Sequence, residues 1–350
     1  MLKVYCLYFI LRSFRKFGGF VMKKITALVV CLKMLIFLIN ESVMASDITI
    51  GYSLKSVQEE RWQRELDGCI ATTDELGAEF VYLVANGDSQ QQISQIETMI
   101  SQGVDVLMIT AVDAGALMSV LDEAKEEGIK ILIFDQQLQN SYGDVFVGYD
   151  DFDNGAMIAS PLQELSITGN IVLLHGDKAS GMEELINGEK SVLAELDVNI
   201  AMELYCQNWA EENAFSCAKK ALTEMNSDIS AFICMNDGIA SGAVQALEEY
   251  GMTGKVVVTG MDSELNALQR IVKGTQTSTV YKDSSILSKI AIETAMALAK
   301  GEEITANQTV NFGKNDMPHV VVKSTVITKD NIDEKMIDTG YYSHKEIYGE

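Results

Sequence analysis

The sequence has few prolines, tryptophans and histidines, and too few basic residues to balance its acidic ones. Two prolines in 350 residues exclude a proline-rich linker between domains. Twenty-seven lysines and arginines stand against 50 aspartates and glutamates, which gives a net charge of −23. Because binding to a nucleic-acid backbone needs a basic surface, this charge argues against that class of function and favours a well-solvated protein.

The motifs of common enzyme classes are also absent. The sequence contains no G-x-S-x-G, no Walker loop, no G-x-G-x-x-G and no H-E-x-x-H. Its three histidines, His175, His319 and His344, are spaced unlike the ligands of a metal site. We therefore expect no catalytic residues, no metal and no cofactor.

The first 45 residues have the pattern of a secretory signal peptide. Residues 22–24 include two lysines, residues 25–39 are almost wholly apolar, and small residues precede Ser46. A single membrane anchor is the alternative, although Lys33 interrupts the apolar run. Residues 1–21 then represent either an extension from an upstream start codon or a longer basic leader. We predict cleavage before Ser46 and export to the periplasm or the cell exterior.

The exported chain would be still more acidic and would keep four cysteines. Residues 1–45 hold seven basic residues and one acidic residue, so the net charge without them is −29. The remaining cysteines match no zinc template, and they are Cys69, Cys206, Cys217 and Cys234. Cys234 lies in an apolar run and is expected to be a buried thiol. The spacing leaves open whether any pair forms a disulfide.

Short apolar runs alternate with amphipathic segments along residues 48–281. Each run has the length of a strand buried on both faces, and the runs are 48–54, 80–85, 104–109, 130–134, 145–149, 171–175, 200–206, 229–235, 255–261 and 277–281. Apolar residues recur at helical spacing between them, as in 92–99 and 290–298. This alternation predicts an α/β fold with doubly wound parallel sheets. Ten strands exceed one comfortable open sheet, so two sheets are expected.

Several predicted strands end in an acidic or amide residue just before a helix. These residues are Asn86, Asp135, Asn236 and Asp262. Open parallel sheets bind ligands outside the carboxyl ends of their strands, which makes these side chains candidates for a site. Each could equally be the N-cap of the following helix.

Some segments of the chain are similar to the type I periplasmic sugar-binding proteins, and within them to the D-xylose-binding branch that serves ABC importers. The segments that carry the resemblance are ERWQ at 60–63, ANG at 85–87, QISQIETMI at 92–100, GVDVL at 103–107, ND at 236–237, SGAVQAL at 241–247, GTQT at 274–277 and TVYK at 279–282. The first of these and the last two are the most specific to the xylose-like branch. The resemblance extends over nearly all of residues 48–330.

This resemblance implies two doubly wound lobes joined by a multi-strand hinge. The crossovers are expected at 149–152, at 281–283 and at 311–316. The first lobe would then comprise residues 46–150 plus about 283–312, and the second lobe 151–282 plus about 313–335. Residues 336–350 would form a tail.

The resemblance also implies a sugar site that lies between the lobes. The residues that match it are Arg61, Asp135, Gln136, Trp209, Asn236, Asp262 and Lys282. Carboxylates accept from two hydroxyls, an amide donates and accepts, and arginine donates through a planar fork. Trp209 would cover the apolar face of the sugar, and Trp62 is the alternative aromatic plate.

Two positions depart from the xylose-like pattern. The relatives carry an arginine directly after the strand-end aspartate, where this chain has Gln136. They also carry an asparagine pair in the loop after the sixth strand, near Ser180 and Gly181 of this chain. A charged hydrogen bond contributes about 1.5–3 kcal/mol, so these changes could alter the preferred sugar. Lys55 could supply the missing charge instead.

The resemblance implies a monomer whose partners are a monosaccharide and an ABC permease. A membrane histidine kinase or chemoreceptor could receive the sugar-loaded protein instead, since the binding chemistry would be the same. A sugar-responsive repressor would need a DNA-binding helix-turn-helix before the first strand, and residues 1–45 are an apolar leader. We therefore expect no nucleic-acid partner.

Overall fold

The computed structural model of the protein describes residues 48–58, 60–138, 140, 142–178 and 182–349. The predicted signal peptide and its cleavage site lie outside this part of the chain.

Strands and helices alternate from the first described residue. The first group is β1 (Thr49–Leu54), α1 (Glu60–Leu76), β2 (Glu79–Val84), α2 (Ser89–Gln102), β3 (Val106–Thr110), α3 (Met118–Glu126), β4 (Lys130–Asp135) and β5 (Val145–Gly148). β3 is buried along its whole length, as expected for a parallel strand covered by helices on both faces.

The same alternation continues in a second group of elements. These are α4 (Asp151–Glu164), β6 (Gly169–His175), α5 (Glu183–Leu193), β7 (Val198–Tyr205), α6 (Glu211–Glu224), β8 (Ala231–Cys234), α7 (Asp237–Glu249), β9 (Val257–Thr259), α8 (Leu265–Lys273) and β10 (Ser278–Tyr281). All ten strands expected from the apolar runs are present, and their bounds shift by a few residues at most.

The remaining elements complete both lobes. They are α9 (Ser284–Ala299), β11 (Gln308–Asn311), β12 (Asp316–Val321), β13 (Thr325–Thr328), a π-helical turn (Asp333–Ile337) and α10 (His344–Tyr348). The predicted tail is packed, since Met336, Tyr342 and Ile347 are buried in one cluster with Leu268 of α8 and Tyr281 of β10.

Two main sheets form the architecture, which confirms the predicted fold class. The first sheet has the order β11-β12-β5-β4-β3-β1-β2, and the second has the order β7-β6-β8-β9. A parallel bridge between Met261 and Val280 places β10 beside β9, and β13 pairs with β10 in antiparallel fashion. In each sheet the chain order reverses next to the first strand, β1 or β6. Such a reversal opens a crevice at the carboxyl ends of the strands.

The chain crosses between the lobes three times. The first two crossings follow β5 and β10. The third prediction, a crossing at 311–316, is wrong because β12 pairs with β5 in the first sheet through His319 and Phe146. The chain returns to the second lobe only at residues 322–324, so the lobe boundary predicted near residue 312 moves past β12. Met317 and His319 alternate with more exposed neighbours, and this segment has no continuous apolar run.

Helices α4 and α5 cross at two facing glycines. A Cβ on Gly155 would overlap the carbonyl of Leu185, and a Cβ on Gly188 would overlap the carbonyl of Phe152. Both neighbours are backbone atoms, which no side-chain rotation can move. The close crossing therefore depends on glycine at both positions.

We predict that Gly188→Ala lowers the free energy of unfolding by about 1–3 kcal/mol through overpacking. Alanine normally stabilises a helix relative to glycine by about 1 kcal/mol. A loss of stability in this variant would therefore come from the close crossing and not from helix propensity. Urea denaturation followed by circular dichroism measures the change. Gly115→Ala is the matched control because its Cβ meets only Asp113 at 3.4 Å. A Gly188→Ala protein as stable as wild type would contradict the close crossing.

Candidate functional site

Two strand-end aspartates adopt a backbone conformation that side chains rarely take. Asp135, the last residue of β4, has φ +60°, and Asp262, which follows β9, has φ +100°. Such strain costs about 1–3 kcal/mol per residue and is found mainly where a functional site requires it. These two aspartates therefore mark the carboxyl ends of the two sheets as the candidate site.

An arginine from the first helix pairs with the first of these aspartates. Arg61 Nη2 lies 2.5 Å from Asp135 Oδ2, and Arg61 Nη1 lies 3.4 Å from Asp135 Oδ1. Both side chains are largely buried, with 16% and 3% of their surface exposed. The bidentate geometry fixes the guanidinium at the end of β4.

The second aspartate pairs with a lysine at the second crossover. Lys282 Nζ lies 2.7 Å from Asp262 Oδ1, and the two side chains are 12% and 17% exposed. Burial alone would raise the pKa of Asp262, yet Lys282 and Arg61 outweigh it and hold that pKa below its usual value. Burial would likewise lower the pKa of Arg61, but Asp135, Glu65 and Asp262 raise it. The two pairs, one at the end of each sheet, thus lie within each other's field.

The two tryptophans occupy different environments. Trp62 is 1% exposed and belongs to the core of the first lobe, where Arg61 and Lys55 lie over its ring at 4.0 and 4.5 Å from the centroid. Trp209 ends a short turn after β7 with φ +56°, and its ring packs directly against Gly176, just beyond β6. Trp209 is therefore the tryptophan that lies at the strand ends of the second sheet.

The remaining two predicted residues are Asn236 and Gln136, and the structure shows a side-chain hydrogen bond for the first and a backbone hydrogen bond for the second. Asn236 Oδ1 accepts from the Ile239 N–H at 2.9 Å and caps α7, so any bond to a ligand would use its amide nitrogen. Gln136 directly follows Asp135, and its backbone N–H donates to Phe134 O at 2.7 Å. The adjacent Gln137 donates through Nε2 to Asp151 at 2.9 Å. Residues 179–181, where this chain lacks the asparagine pair of the xylose-like pattern, lie outside the described residues.

Sequence reasoning missed two acidic side chains beside the predicted set. Glu65 is 1% exposed, and its Oε1 lies 3.5 Å from Arg61 Nη1. Burial and then the charge of Asp135 raise its pKa to about 8. Burial also raises the pKa of Asp151, at the first crossover, to about 6. The four-residue spacing of Arg61 and Glu65 on one helix was the available sequence evidence.

A third missed residue, Asp237, organises the second lobe. Its carboxylate accepts from Gln276 Nε2 at 2.8 Å, from Thr279 Oγ1 at 2.8 Å and from the Glu264 N–H at 3.1 Å. Burial, followed by the charge of Glu264, raises its pKa to about 8. These bonds hold the loop that carries Asp262 against β10.

Two negative findings apply to the residues that the structure describes. No group of three or more histidine, cysteine, aspartate or glutamate side chains is placed to hold a metal ion. In the same residues, no helix is both long enough and apolar enough to cross a membrane.

We predict that Gly176→Ala displaces the Trp209 ring, because the new methyl group would overlap it. In a Trp62→Phe background Trp209 is the single tryptophan, so its fluorescence emission should shift to longer wavelength as the ring meets water. Gly115→Ala in the same background controls for a general effect of the substitution. An unchanged emission spectrum in Gly176→Ala would contradict the contact between ring and glycine.

The chain matches the periplasmic binding protein domain over residues 50–303. It is 34% identical over 317 residues to a D-xylose-binding periplasmic protein of Escherichia coli, covering 89% of this chain and 96% of that protein. A D-xylose-binding periplasmic protein of Haemophilus influenzae is 34% identical over 314 residues, covering 88% and 95%. A carbohydrate transporter solute binding protein of Chloroflexus aurantiacus, solved in complex with D-glucose, superposes with a TM-score of 0.75 at 25% identity, covering 85% and 97%. The chain thus belongs to the periplasmic binding protein family, whose members bind their substrates without catalysis.

Proposed function

We propose that this protein captures a monosaccharide between its two lobes and delivers it to the permease of an ABC importer. The observation that carries the proposal is the pair of buried ion pairs at the strand ends, Arg61 with Asp135 and Lys282 with Asp262. The names of the D-xylose-binding relatives and the glucose complex of the structural relative support a sugar as the ligand.

The chemistry of the two pairs suits a polyhydroxylated ligand. Each hydroxyl both donates and accepts, and an ionised carboxylate has about four acceptor sites, so it can serve a hydroxyl as well as its cation. Arg61 and Lys282 supply donors next to Asp135 and Asp262. Since each charged group is already held by its partner, little side-chain ordering remains to be done when the ligand enters.

The aromatic component of the site is Trp209. A sugar presents a weakly apolar C–H face that an indole ring can cover while excluding water. Its strained backbone and its contact with Gly176 fix the ring at the end of the second sheet. The rival plate, Trp62, is enclosed in the core of the first lobe.

Three crossings of the chain, after β5, β10 and β12, form a hinge in this proposal. Opening at these segments would separate the Arg61–Asp135 pair from the Lys282–Asp262 pair, and closing would enclose the ligand between them. The export proposed from the N-terminal pattern agrees with the periplasmic relatives. The permease would then recognise the closed, loaded form.

Xylose is the sugar we propose first, with a broader preference than in the D-xylose-binding relatives. Gln136 stands where the resemblance implies arginine, so the site loses one charge and part of a donor fork. The shorter amide leaves room for the exocyclic hydroxymethyl group of a hexose. We therefore propose that glucose or another hexose binds within about tenfold of xylose, a difference near 1.4 kcal/mol.

Calorimetric titration of the chain without residues 1–45 tests the proposed function. We expect binding of xylose within a panel that also includes glucose, ribose, arabinose and galactose. Trp209→Ala should weaken binding by about tenfold or more, because stacking adds about 0.5–1.5 kcal/mol to the lost burial. Trp62→Phe, which keeps an aromatic ring beneath Arg61, is the control for the tryptophan buried in the first lobe. If no sugar in the panel binds, the proposed function is refuted. If the affinity of Trp209→Ala equals that of wild type, Trp209 does not stack on the sugar.

Gln136→Arg should raise the preference for xylose over glucose. Arginine restores the charged donor beside Asp135 and fills the space that a hexose would need. Competitive titration of both sugars against wild type and variant measures the ratio of the two dissociation constants. If that ratio stays unchanged, Gln136 does not determine specificity, and Lys55 becomes the candidate for the charge.

A further inference from the structure

Glu65 is a buried acid directly behind the proposed ligand-binding arginine. It lies four residues after Arg61 on α1, with 1% of its side chain exposed. Its Oε1 is 3.5 Å from Arg61 Nη1, and its Oε2 is buried without a hydrogen-bond partner in the described structure. A buried carboxylate oxygen that meets neither water nor a donor is costly when charged and much less so when protonated.

The charged groups around Glu65 leave it without a dedicated counter-ion. Arg61 already pairs with Asp135, and Lys282 already pairs with Asp262, so these four groups sum to zero charge. The other titratable groups that act on Glu65 or are acted on by it are Cys69 on the same helix, Tyr52 on β1 and Tyr149 after β5. From α9, Ser288 Oγ donates to the backbone carbonyls of Glu65 and Ser284, at 2.8 and 2.7 Å, and so meets the backbone of Glu65 rather than its carboxyl. Ionised Glu65 would add a further uncompensated negative charge to a cluster that Asp151 already borders.

We propose that Glu65 is a positioning residue for Arg61 that is protonated in the ligand-bound protein, so that ligand binding takes up a proton. The inference rests on the proposed function. A neutral carboxyl still lies 3.5 Å from Arg61 Nη1 and supports the guanidinium from behind. An ionised one would compete with Asp135 for the same guanidinium and draw it away from the end of β4.

The direction of the pH dependence follows from the hinge. In the enclosed site, burial holds the pKa of Glu65 near 8. Opening admits water and lowers that pKa toward the ordinary value of about 4.3. The closed form therefore binds more protons, and affinity is greatest at low pH. It declines as the pH rises toward about 8 and is constant above that value.

Calorimetry with D-xylose in two buffers of different ionisation enthalpy counts the protons taken up on binding. At about pH 7 the wild type should take up a measurable fraction of one proton, and Glu65→Gln should take up clearly less. The amide mimics the neutral acid, so the affinity of Glu65→Gln should match wild type within about twofold at about pH 4, near the pKa of the open form, and should exceed it by a growing factor as the pH rises to about 9. Asp151→Asn, which alters the other acid with a raised pKa near the site, is the matched control and should retain the uptake.

Two results would overturn the proposal while leaving sugar binding intact. One is a proton uptake that is the same in Glu65→Gln as in wild type. The other is a loss of about tenfold or more in the affinity of Glu65→Gln at every pH, which would make Glu65 an anionic counter-ion. If Glu65→Gln does not fold, as judged by circular dichroism, the wild type alone decides. No proton uptake and a flat affinity between about pH 6 and about pH 9 would then refute the idea. If no sugar binds at any pH, the proposed function fails and this inference fails with it.

Discussion

The burial of two ion pairs at facing strand ends is the constraint on which the rest of this structure depends. Removing a charge from water costs several kcal/mol, and only close partners and good geometry compensate for that cost. Asp135 and Asp262 meet this demand through strained backbones that aim their carboxylates at a cation. The pairing then requires a guanidinium at the first turn of α1 and an ammonium directly after β10. Both positions are set by the doubly wound topology, because each lies just beyond the carboxyl end of a strand.

The scaffold around the pairs is rigid in different ways in the two lobes. In the first lobe, α1 packs on α9 through Gly68, whose missing side chain leaves room for Ser288. In the second lobe, the buried carboxylate of Asp237 joins the start of α7 to β10 and to the loop after Asp262. A buried polar network of this kind stabilises a loop only if its members are satisfied, and here both oxygens of Asp237 accept hydrogen bonds. Loop residues held in this way can keep a ligand-binding geometry before the ligand arrives.

Sequence patterns predicted ten strands from their continuous apolar runs, including β2 and β7, which lie at sheet edges and are only partly buried. They did not predict β11, β12 and β13, which lie at or near sheet edges and read as QTVN, DMPHVV and TVIT. The strand-end residues show a similar limit. Asn236 is a helix cap and Asp262 is not, although both precede helices, and Asp135, also expected before a helix, is followed by the strand β5. Backbone angle separates the two uses, and residue type does not reveal it.

The ion pairs also bear on how the lobes could move. Each pair lies within one lobe, since Arg61 and Asp135 belong to the first sheet and its helix, and Lys282 and Asp262 follow neighbouring strands of the second. Opening the cleft would therefore expose two neutral pairs and would not separate a cation from its own anion. A salt bridge that joined the lobes would instead favour the closed form without ligand. With charges balanced inside each lobe, a ligand of the proposed kind would have to supply the difference in free energy between open and closed forms through its own bonds to the two pairs, since a ligand shifts that equilibrium only by such a difference.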